Sequence, residues 1–261
     1  MAKTALVTGA SGGIGLELAR LFAKDGYDVV LVARSAERLG EVADELEEQY
    51  HVRAFPCPCD LSDTDGAASV VKAVDALDVQ VDALVNNAGF AYDAPFAGSD
   101  AARQRDLVQV DVVALMELSH EFGSRMAARG EGRILNVASI AGFMPGPYMA
   151  TYYASKAFVQ SFTQALHVEL KWRGVHVTAL CPGPVRTSFW KAADAEHVAL
   201  TFLMARPQRV ARAGYRALAW NKTLCFPGLL AKAAVFVTRL VPRCVMSYAV
   251  ALLQRPKFAK K

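Results

Sequence analysis

The 261-residue sequence is poor in several features that mark specialised classes of protein. Its five cysteines are an odd number, which disfavours a disulfide framework and favours reduced thiols and a cytoplasmic location. The net charge is only +4, and no Lys/Arg block or aromatic-basic alternation precedes the tail, which disfavours nucleic acid as a partner. The five histidines are scattered without metal-ligand spacing, so no metal site is predicted.

The sequence also lacks a long uninterrupted apolar run. The apolar stretch after Leu229 is broken by three cations and by Pro242, which makes it a poor membrane-spanning helix. The first predicted strand begins near Lys3, so no signal peptide is expected. Hydrophobic residues make up 53% of the chain and charged residues 21%, which predicts a globular fold with a large core.

Short apolar strands alternate with amphipathic helical patterns along most of the chain. Strands are predicted at 5–7, 28–33, 52–56, 81–85, 134–137 and 175–180, and helices over 36–49, 64–77, 101–129 and 151–173, with a first helix ending near 25. Such alternation implies right-handed crossovers and a parallel sheet. The predicted fold class is therefore α/β: a single doubly wound Rossmann domain over 1–228, followed by a helical C-terminal extension over 229–261.

A glycine-rich turn follows the first strand directly. The segment 8–15 reads TGASGGIG and leads into a helical pattern. Bare N–H groups and the dipole at a helix N-terminus favour a phosphate, and glycines allow it to approach closely. Glycine also occurs in tight turns without any ligand. The order of strand, glycine turn and helix nevertheless predicts a dinucleotide site.

Two positions at later strand ends bear on the nucleotide. Arg34 and Ser35 follow the second strand, where a site specific for NAD would carry a carboxylate for the ribose 2′-hydroxyl. A guanidinium and a hydroxyl there favour a 2′-phosphate, although Arg34 could simply be a solvated residue that opens the next helix. Asp60, after the third strand, could accept from an adenine amino group or merely begin a turn.

A serine, a tyrosine and a lysine are arranged so that they could move a proton. Tyr152 and Lys156 are four residues apart on a predicted helix and therefore share one face, and Ser139 follows the end of a strand. A tyrosine that acts near neutral pH needs its pKa lowered by roughly 3 units from about 10. This shift corresponds to about 4 kcal/mol. An ammonium at about 4 Å supplies about that much at an effective dielectric constant near 20.

Asp111 is an anomaly in the helix predicted over 101–129. It lies within an apolar stripe formed by Leu107, Ala114, Leu115 and Leu118. A carboxylate on a buried face is costly unless it has a partner. Two interpretations are open: it forms hydrogen bonds to the strand behind it, or it faces a wet active site.

Taken together, these motifs resemble the short-chain dehydrogenase/reductase family across about 1–190. The matching segments are TGASGGIG (8–15), Asp60, NNAG (86–89), Ser139, YYASK (152–156) and PGPVRT (182–187). The resemblance implies a nicotinamide cofactor and a homodimer or homotetramer. It also implies that Tyr152 is the acid/base, that Lys156 lowers its pKa and holds the nicotinamide ribose, and that Ser139 orients the substrate oxygen. The family usually carries an asparagine that holds a relay water where this chain has Asp111.

The predicted site residues follow from the motifs and the resemblance together. The catalytic set is Ser139, Tyr152, Lys156 and Asp111. The set predicted to bind NADP(H) comprises Gly9, Ser11, Gly13, Ile14, Gly15, Arg34, Ser35, Asp60, Leu61, Asn87, Ala88, Gly89, Tyr152, Lys156, Pro182, Gly183, Val185 and Thr187.

The predicted function is the interconversion of a carbonyl and an alcohol by an NADP(H)-dependent oxidoreductase. A substrate lid is expected over about 188–220, where the apolar residues Phe189, Trp190, Leu200, Phe202, Leu203 and Met204 favour a steroid, a lipid-like ketone or a long-chain aldehyde. The same residues could instead pack a lid helix. A nucleotide-sensing protein without turnover is the alternative, and the intact serine, tyrosine and lysine argue against it.

The tail from Leu229 to Lys261 shows apolar residues at three- and four-residue steps, interrupted at Pro242. This pattern predicts two short amphipathic helices with a basic polar side. The apolar stripe could pack on the domain itself, on a second subunit or on an anionic membrane surface. Packing on protein is the commoner arrangement of such helices, so a membrane surface is possible but not favoured.

Overall fold

The structure is a computed structural model that describes residues 2–187, 189 and 204–254. Within these residues, seven strands are found: β1 (Thr4–Thr8), β2 (Asp28–Ala33), β3 (Ala54–Pro58), β4 (Val81–Asn86), β5 (Gly132–Val137), β6 (Val175–Leu180) and β7 (Leu224–Cys225). The α-helices of the described part are α1 (Gly13–Lys24), α2 (Ala36–Tyr50), α3 (Gly66–Ala76), α4 (Ala101–Val108), α5 (Leu115–Arg129), α6 (Ala150–Lys171), α7 (Pro207–Ala219), α8 (Leu229–Leu240) and α9 (Arg243–Gln254).

The strands form one sheet in the order β3-β2-β1-β4-β5-β6-β7. Every neighbouring pair is parallel. The strand order reverses between β1 and β4, and in open α/β sheets ligands bind at the carboxyl edge of such a reversal. The predicted doubly wound Rossmann fold with C-terminal helices is therefore confirmed. Strand β7, a short edge strand, was not predicted.

Two hydrophobic layers cover the two faces of the sheet. Alternate residues of a strand point to opposite faces, so Val29 and Leu31 pack in one cluster while Val30 and Val32 pack in the other. The first cluster lies under α1, α2 and α7, and the second under α3 and α5. Because both faces are buried, the strands are nearly continuous apolar runs.

The helix predicted over 101–129 is not a uniform α-helix. Residues Gln109–Ala114, between α4 and α5, form a π-helical turn, and Asp111 lies in it. A π-helical turn accommodates one extra residue and so shifts the face on which the following side chains lie. The predicted stripe is nevertheless buried, as Leu107, Leu118 and Asp111 all show.

Residues 188 and 190–203 of the predicted lid, with Trp190, Leu200, Phe202 and Leu203 among them, lie outside the described residues. Of the predicted 188–220 segment, residues 207–219 form α7, which packs on α1 and the sheet. The two predicted tail helices are present as α8 and α9, and they are separated at Pro242. The tail residues from Arg255 onward fall outside the described part as well.

Candidate active site

The site lies at the carboxyl edge of the sheet, at the reversal of strand order, where Thr8 connects the end of β1 to the end of β4 by hydrogen bonds. The Thr8 hydroxyl accepts hydrogen bonds from the backbone N–H groups of Asn87 (3.0 Å) and Ala88 (2.9 Å) and donates to the Val85 carbonyl (3.3 Å). The Asn87 side chain donates in return to the Thr8 carbonyl at 2.9 Å. These hydrogen bonds fix the positions of the two strand ends between which a dinucleotide would lie. Thr8 was not among the predicted site residues, although its motif was quoted.

The glycine loop has the shape that its sequence predicted. Gly9 and Gly13 have φ of +67° and +59°, in the left-handed region that favours glycine. A Cβ at Gly15 would lie 2.3 Å from the Gly9 carbonyl oxygen, so no side chain is tolerated there. Helix α1 begins at this loop with neither a side-chain cap nor an acidic residue in its first turn. Its N-terminal N–H groups therefore favour an anion such as a pyrophosphate.

The end of β2 places a cation at the far wall of the site. Arg34 is exposed, and the hydroxyl of Ser35 caps α2 by accepting from the Arg38 N–H at 3.2 Å. Sequence reasoning overlooked Arg38, whose Nε donates to the Ser11 carbonyl at 3.3 Å, close to the glycine loop. Arg34 thus lines the cavity where the adenosine ribose of a dinucleotide is expected, and Arg38 lies close to the glycine loop with its guanidinium also paired with Glu41.

Of the two roles predicted for Asp60, the structure shows the simpler one, which is to begin a turn. Its Oδ1 accepts hydrogen bonds from the Ser62 N–H (2.9 Å) and hydroxyl (2.7 Å), so it organises the turn after β3. Burial raises the pKa of Asp60, but the Ser62 hydrogen bonds and the charge of Arg34 outweigh burial, and the pKa is lowered. Asp60 and Leu61 also line the cavity, which leaves the adenine contact open as a prediction.

Ser139 and Tyr152 meet as predicted. Ser139 lies just past β5, where its hydroxyl accepts from the Ala141 N–H at 3.1 Å and lies 3.5 Å from the Pro182 carbonyl oxygen, and both Ser139 and Tyr152 line the same cavity. The peptide of Pro182 supports this position from the next strand, since its carbonyl accepts the Ile140 N–H at 3.0 Å. A phenol and a hydroxyl therefore converge on one point at the carboxyl edge.

Lys156 is close to Tyr152 but is paired with a different residue. Its Nζ lies 5.7 Å from the Tyr152 ring centroid and 3.0 Å from Asp111 Oδ2, and it donates to the Val137 carbonyl at 3.4 Å. Asp111 is 0% exposed and Lys156 is 5% exposed. The two side chains form a buried ion pair next to the phenol.

Asp111 has a complete set of partners. Besides Lys156, its Oδ1 accepts from the Phe90 N–H at 3.1 Å, and its Oδ2 lies 2.9 Å from the Ser155 hydroxyl. Asp111 is fully buried and is not among the residues that line the cavity, so the alternative in which it hydrogen-bonds to the structure behind it holds and the wet active site does not. Asp111 bonds to the backbone that follows β4, and its ion pair with Lys156 places its charge beside the phenol. The sequence offered no sign that Lys156 would be its partner.

The pKa of Tyr152 is raised, opposite to the direction expected from the sequence. Burial is the largest cause and the carboxylate of Asp111 is the second, whereas the hydrogen bond with Ser139 lowers it. Lys156 cannot exert the field of a lone cation, because Asp111 neutralises it at 3.0 Å. In the protein without cofactor, Tyr152 is therefore a protonated phenol at neutral pH.

Ser139, Tyr152 and Lys156 line one cavity of about 1060 Å³. It extends from Gly9 and Gly13 past Arg34 and Asp60 to Tyr152. A cavity of this volume fits a dinucleotide with room for a substrate, because drug-sized ligand sites commonly have volumes of about 300–1000 Å³. At its glycine end, a Cβ at Gly13 would lie 3.1 Å from Thr187, so only glycine leaves the cradle open. The residues present therefore fit a nicotinamide dinucleotide.

The remaining predicted cofactor residues lie on the cavity wall as well. They are Ser11, Ile14, Ser35, Asn87, Ala88, Gly89, Pro182, Gly183, Val185 and Thr187. Two predicted site residues are not on the wall: Gly15 packs behind the loop against Asn87, and Asp111 is buried behind Lys156.

The substrate end of the cavity includes residues that sequence reasoning did not select. Apolar side chains from three regions meet there: Met149, Phe189 and Val250, with the Phe189 ring 5.7 Å from that of Tyr152. Tyr153, the residue after Tyr152, lines the same cavity, and its ring lies 6.0 Å from that of Tyr152. Its hydroxyl accepts from Gln254 of α9 at 3.1 Å. Burial raises the pKa of Tyr153 to about 12.

Comparison with known proteins agrees with this geometry. Residues 3–197 match the family model of the short chain dehydrogenases. Over 191 residues, the chain is 36% identical to sulfoacetaldehyde reductase 2 of Chromohalobacter salexigens, covering 72% of this chain and 75% of that reductase. It is 35% identical over 192 residues to a very-long-chain 3-oxoacyl-CoA reductase of Anas platyrhynchos, which is 72% of this chain but only 61% of that protein.

Among solved structures, one similar chain is a short-chain dehydrogenase from Sphingobium yanoikuyae in complex with NADPH. The two superpose with a TM-score of 0.81 at 30% sequence identity, and the match covers 92% of this chain and 96% of that one. The match is therefore longer than the 195 residues covered by the family model.

Proposed function

The chain belongs to the short-chain dehydrogenase family, and we propose that it is an NADP(H)-dependent oxidoreductase that interconverts an apolar carbonyl compound and its alcohol. The observation that carries the proposal is the convergence of Ser139 and Tyr152 on the cavity that the glycine loop also lines. A phenol donor, a positioning hydroxyl and a dinucleotide cradle are the parts that carbonyl reduction requires.

Each active-site residue has a distinct part in this reaction. The bound cofactor supplies the hydride that reaches the carbonyl carbon. Tyr152 donates its phenolic proton to the carbonyl oxygen and takes it back in the reverse reaction, while Ser139 holds the same oxygen by a hydrogen bond. Because the pKa of Tyr152 is raised, the phenol carries the proton that reduction needs at neutral pH.

The choice of NADP(H) rests on charge at the end of β2. Arg34 and Ser35 occupy the position where a carboxylate would favour NAD, and Arg38 adds a second guanidinium close by. Guanidinium groups bind phosphate oxygens through charge-assisted hydrogen bonds. The NADPH in the similar Sphingobium yanoikuyae structure supports the same choice.

The substrate class rests on the lining of the far end of the cavity. Met149, Phe189 and Val250 face that end, where they favour a steroid, a lipid-like ketone or a long-chain aldehyde. The similarity to very-long-chain 3-oxoacyl-CoA reductases supports a long apolar chain in the substrate. Homodimeric or homotetrameric assembly and a cytoplasmic location stay predictions from the sequence.

The test is a Tyr152→Phe variant assayed with NADPH against a panel of steroid, long-chain aldehyde and 3-oxoacyl-CoA substrates. We expect turnover on the best substrate to fall by at least about a hundredfold, the usual scale for the loss of a general acid. NADPH affinity, measured by its fluorescence, should change little, because the glycine loop and Arg34 are untouched.

Two matched variants serve as controls. Tyr215→Phe removes a hydroxyl that donates to Asp25 at 2.6 Å, on the side of the sheet covered by α1 and α7, and should keep full turnover. Tyr153→Phe should keep most of it, because the Tyr153 hydroxyl is bonded to Gln254. Near-normal turnover of Tyr152→Phe would refute the mechanism. NADPH binding without turnover on any carbonyl would favour a nucleotide sensor.

A further inference from the structure

The C-terminal helices expose an unusual amount of apolar surface. More than half of the exposed large hydrophobic residues in the described part of the chain lie on α8 and α9. We call this set the tail face; it comprises Leu229, Leu230, Phe236, Val237, Leu240, Val245, Tyr248 and Leu252. Leu229 is 82% exposed and Tyr248 76% exposed. Exposed apolar residues concentrated in this way usually mark an interaction surface.

The two helices are nonetheless docked on the domain, by their smaller side chains. Ala231, Val235 and Val250 are buried, and α8 packs against the turn at 140–143 that follows Ser139. The apolar stripe of the tail that the sequence predicted to pack on protein is therefore exposed. Of the three arrangements left open by the sequence, packing on the domain's own surface is therefore excluded for this stripe, because smaller side chains of α8 and α9 make the closer approach.

Charge along the chain separates the tail from the rest. No Asp or Glu follows Glu196, whereas twelve cations do: Arg206, Arg209, Arg212, Arg216, Lys222, Lys232, Arg239, Arg243, Arg255, Lys257, Lys260 and Lys261. Because the net charge of the whole chain is +4, residues 1–196 carry a net charge of −8. The tail face therefore lies in a segment with cations and no anions. A partner surface that complements the tail face is therefore apolar and negatively charged.

These features discriminate between the two occupants that remain, a second copy of the chain and an anionic bilayer. A two-fold contact between tail faces would bring Lys232, Arg239 and Arg243 of each copy near their counterparts, and like charges repel. An anionic bilayer offers both an apolar interior for leucines and a negative surface for the cations. No helix in the described part combines the length and apolar content needed to cross a bilayer, so the helices would lie in its surface.

We propose that the tail face docks this protein on an anionic lipid surface, with α8 and α9 lying in the interfacial plane. The position of α9 gives the docking a consequence for access to the site. Val250 and Gln254 line the cavity on the inner side of α9, while Tyr248 and Leu252 lie on its exposed side. One helix thus separates the cavity from the lipid, and an apolar carbonyl compound dissolved in the bilayer would meet the mouth of the site.

The experiment is flotation of the full chain with vesicles, without detergent. One set contains phosphatidylglycerol mixed with phosphatidylcholine, and the other contains phosphatidylcholine alone. Three variants accompany it: Leu240→Gln with Tyr248→Gln, Arg239→Glu with Arg243→Glu, and the control Trp220→Gln. Trp220 is another exposed aromatic residue, but it precedes β7 and so lies at the opposite, amino edge of the sheet.

The unmodified chain and the Trp220→Gln control should float with the anionic vesicles and be released by high salt. Both double variants should partition at least about tenfold more weakly. Each basic residue near an anionic surface contributes roughly fivefold, and each large apolar side chain buried in the bilayer contributes roughly tenfold or more. Equal melting temperatures would show that the variants fold. The proposal is overturned if the unmodified chain does not float, if the double variants float equally well, or if sedimentation shows that Leu240→Gln with Tyr248→Gln only dissociates an oligomer.

Discussion

Replacing Asp111 by Asn tests the electrostatic arrangement of the active site. The substitution keeps the shape of the side chain: its carbonyl oxygen can still accept from the Phe90 N–H, while its NH2 group replaces the oxygen near Ser155 and can donate to that hydroxyl. It removes the negative charge that lies 3.0 Å from Lys156 Nζ. The ammonium would then act on Tyr152 without a neutralising neighbour.

The size of the effect follows from the distance between the cation and the phenol. Lys156 Nζ lies 5.7 Å from the centre of the Tyr152 ring. At an effective dielectric constant of about 20, a lone ammonium at this distance stabilises a phenolate by about 3 kcal/mol. Asp111 cancels part of that stabilisation, so about a hundredfold in the ionisation equilibrium is the upper limit of what Asp111→Asn can restore. We expect the pKa of Tyr152 to fall in this variant.

The assay is the pH profile of kcat/KM for alcohol oxidation, in which Tyr152 must be deprotonated. In the unmodified enzyme the rate should rise towards alkaline pH, because the pKa of Tyr152 is raised. Asp111→Asn should move that rise to lower pH by about one to two units, which corresponds to the energy above. A Ser155→Ala variant is the control: it keeps the charge of Asp111 and loses only a hydroxyl, so its profile should not move.

Asp111→Asn should also lower the thermal stability of the cofactor-free protein, because it leaves a buried ammonium without its carboxylate. A melting temperature lower by several degrees, with the pH profile shifted as described, is the expected pair of results. If the alkaline rise stays in place or moves to higher pH, the carboxylate of Asp111 does not control Tyr152 and the electrostatic argument is wrong.

Two further substitutions test other parts of the cavity. Arg34→Asp should reduce the preference for NADPH over NADH by about ten- to a hundredfold in kcat/KM, the scale of one charge-assisted phosphate contact, and equal use of both cofactors by the unmodified enzyme would refute the assignment. Gly89→Ala should lower both melting temperature and turnover, because its Cβ would lie 2.6 Å from Asp111 Oδ1 and 3.2 Å from Lys156 Nζ. Gly40→Ala, in α2 with nothing within 4 Å of the added Cβ, should instead stabilise the fold slightly in the same melting assay.

The architecture was predictable because it depends on local patterns repeated along the chain. Buried parallel strands are short apolar runs, and amphipathic helices show a 3.6-residue period, so alternation alone gave the doubly wound sheet. The glycine loop was equally visible, because its backbone conformation at Gly9 and Gly13 demands glycine. The π-helical turn at 109–114 was not visible, since one extra residue hardly disturbs an apolar stripe.

The partners of charged and apolar side chains were less predictable than the elements that carry them. Asp111 and Lys156 are 45 residues apart, and only the packing of α6 against the π-helical turn brings them together. The tail gives a similar lesson: its period predicted two helices correctly but did not determine which surface the apolar stripe contacts. Periodicity identifies an apolar stripe, whereas burial depends on the shape of the opposing surface.

A buried chain of hydrogen bonds below the site explains why its parts keep their positions. Asn86 at the end of β4 donates to Asn136 of β5 at 2.9 Å and to Ser119 of α5 at 2.9 Å, and Asn136 donates to Thr163 of α6 at 3.0 Å. In the low dielectric of the core these bonds are strong and costly to break.

This chain of bonds connects the elements that deliver the catalytic side chains. Asn136 precedes Val137, whose carbonyl accepts from Lys156, and lies three residues before Ser139. Thr163 belongs to the same helix as Tyr152 and Lys156. A shift of α6 along β5 would break the bond between Asn136 and Thr163, so the distance from Ser139 to Tyr152 is set from inside the core. The Tyr-x-x-x-Lys spacing fixes only which side chains share a face of α6; the register between α6 and β5 decides whether they reach Ser139.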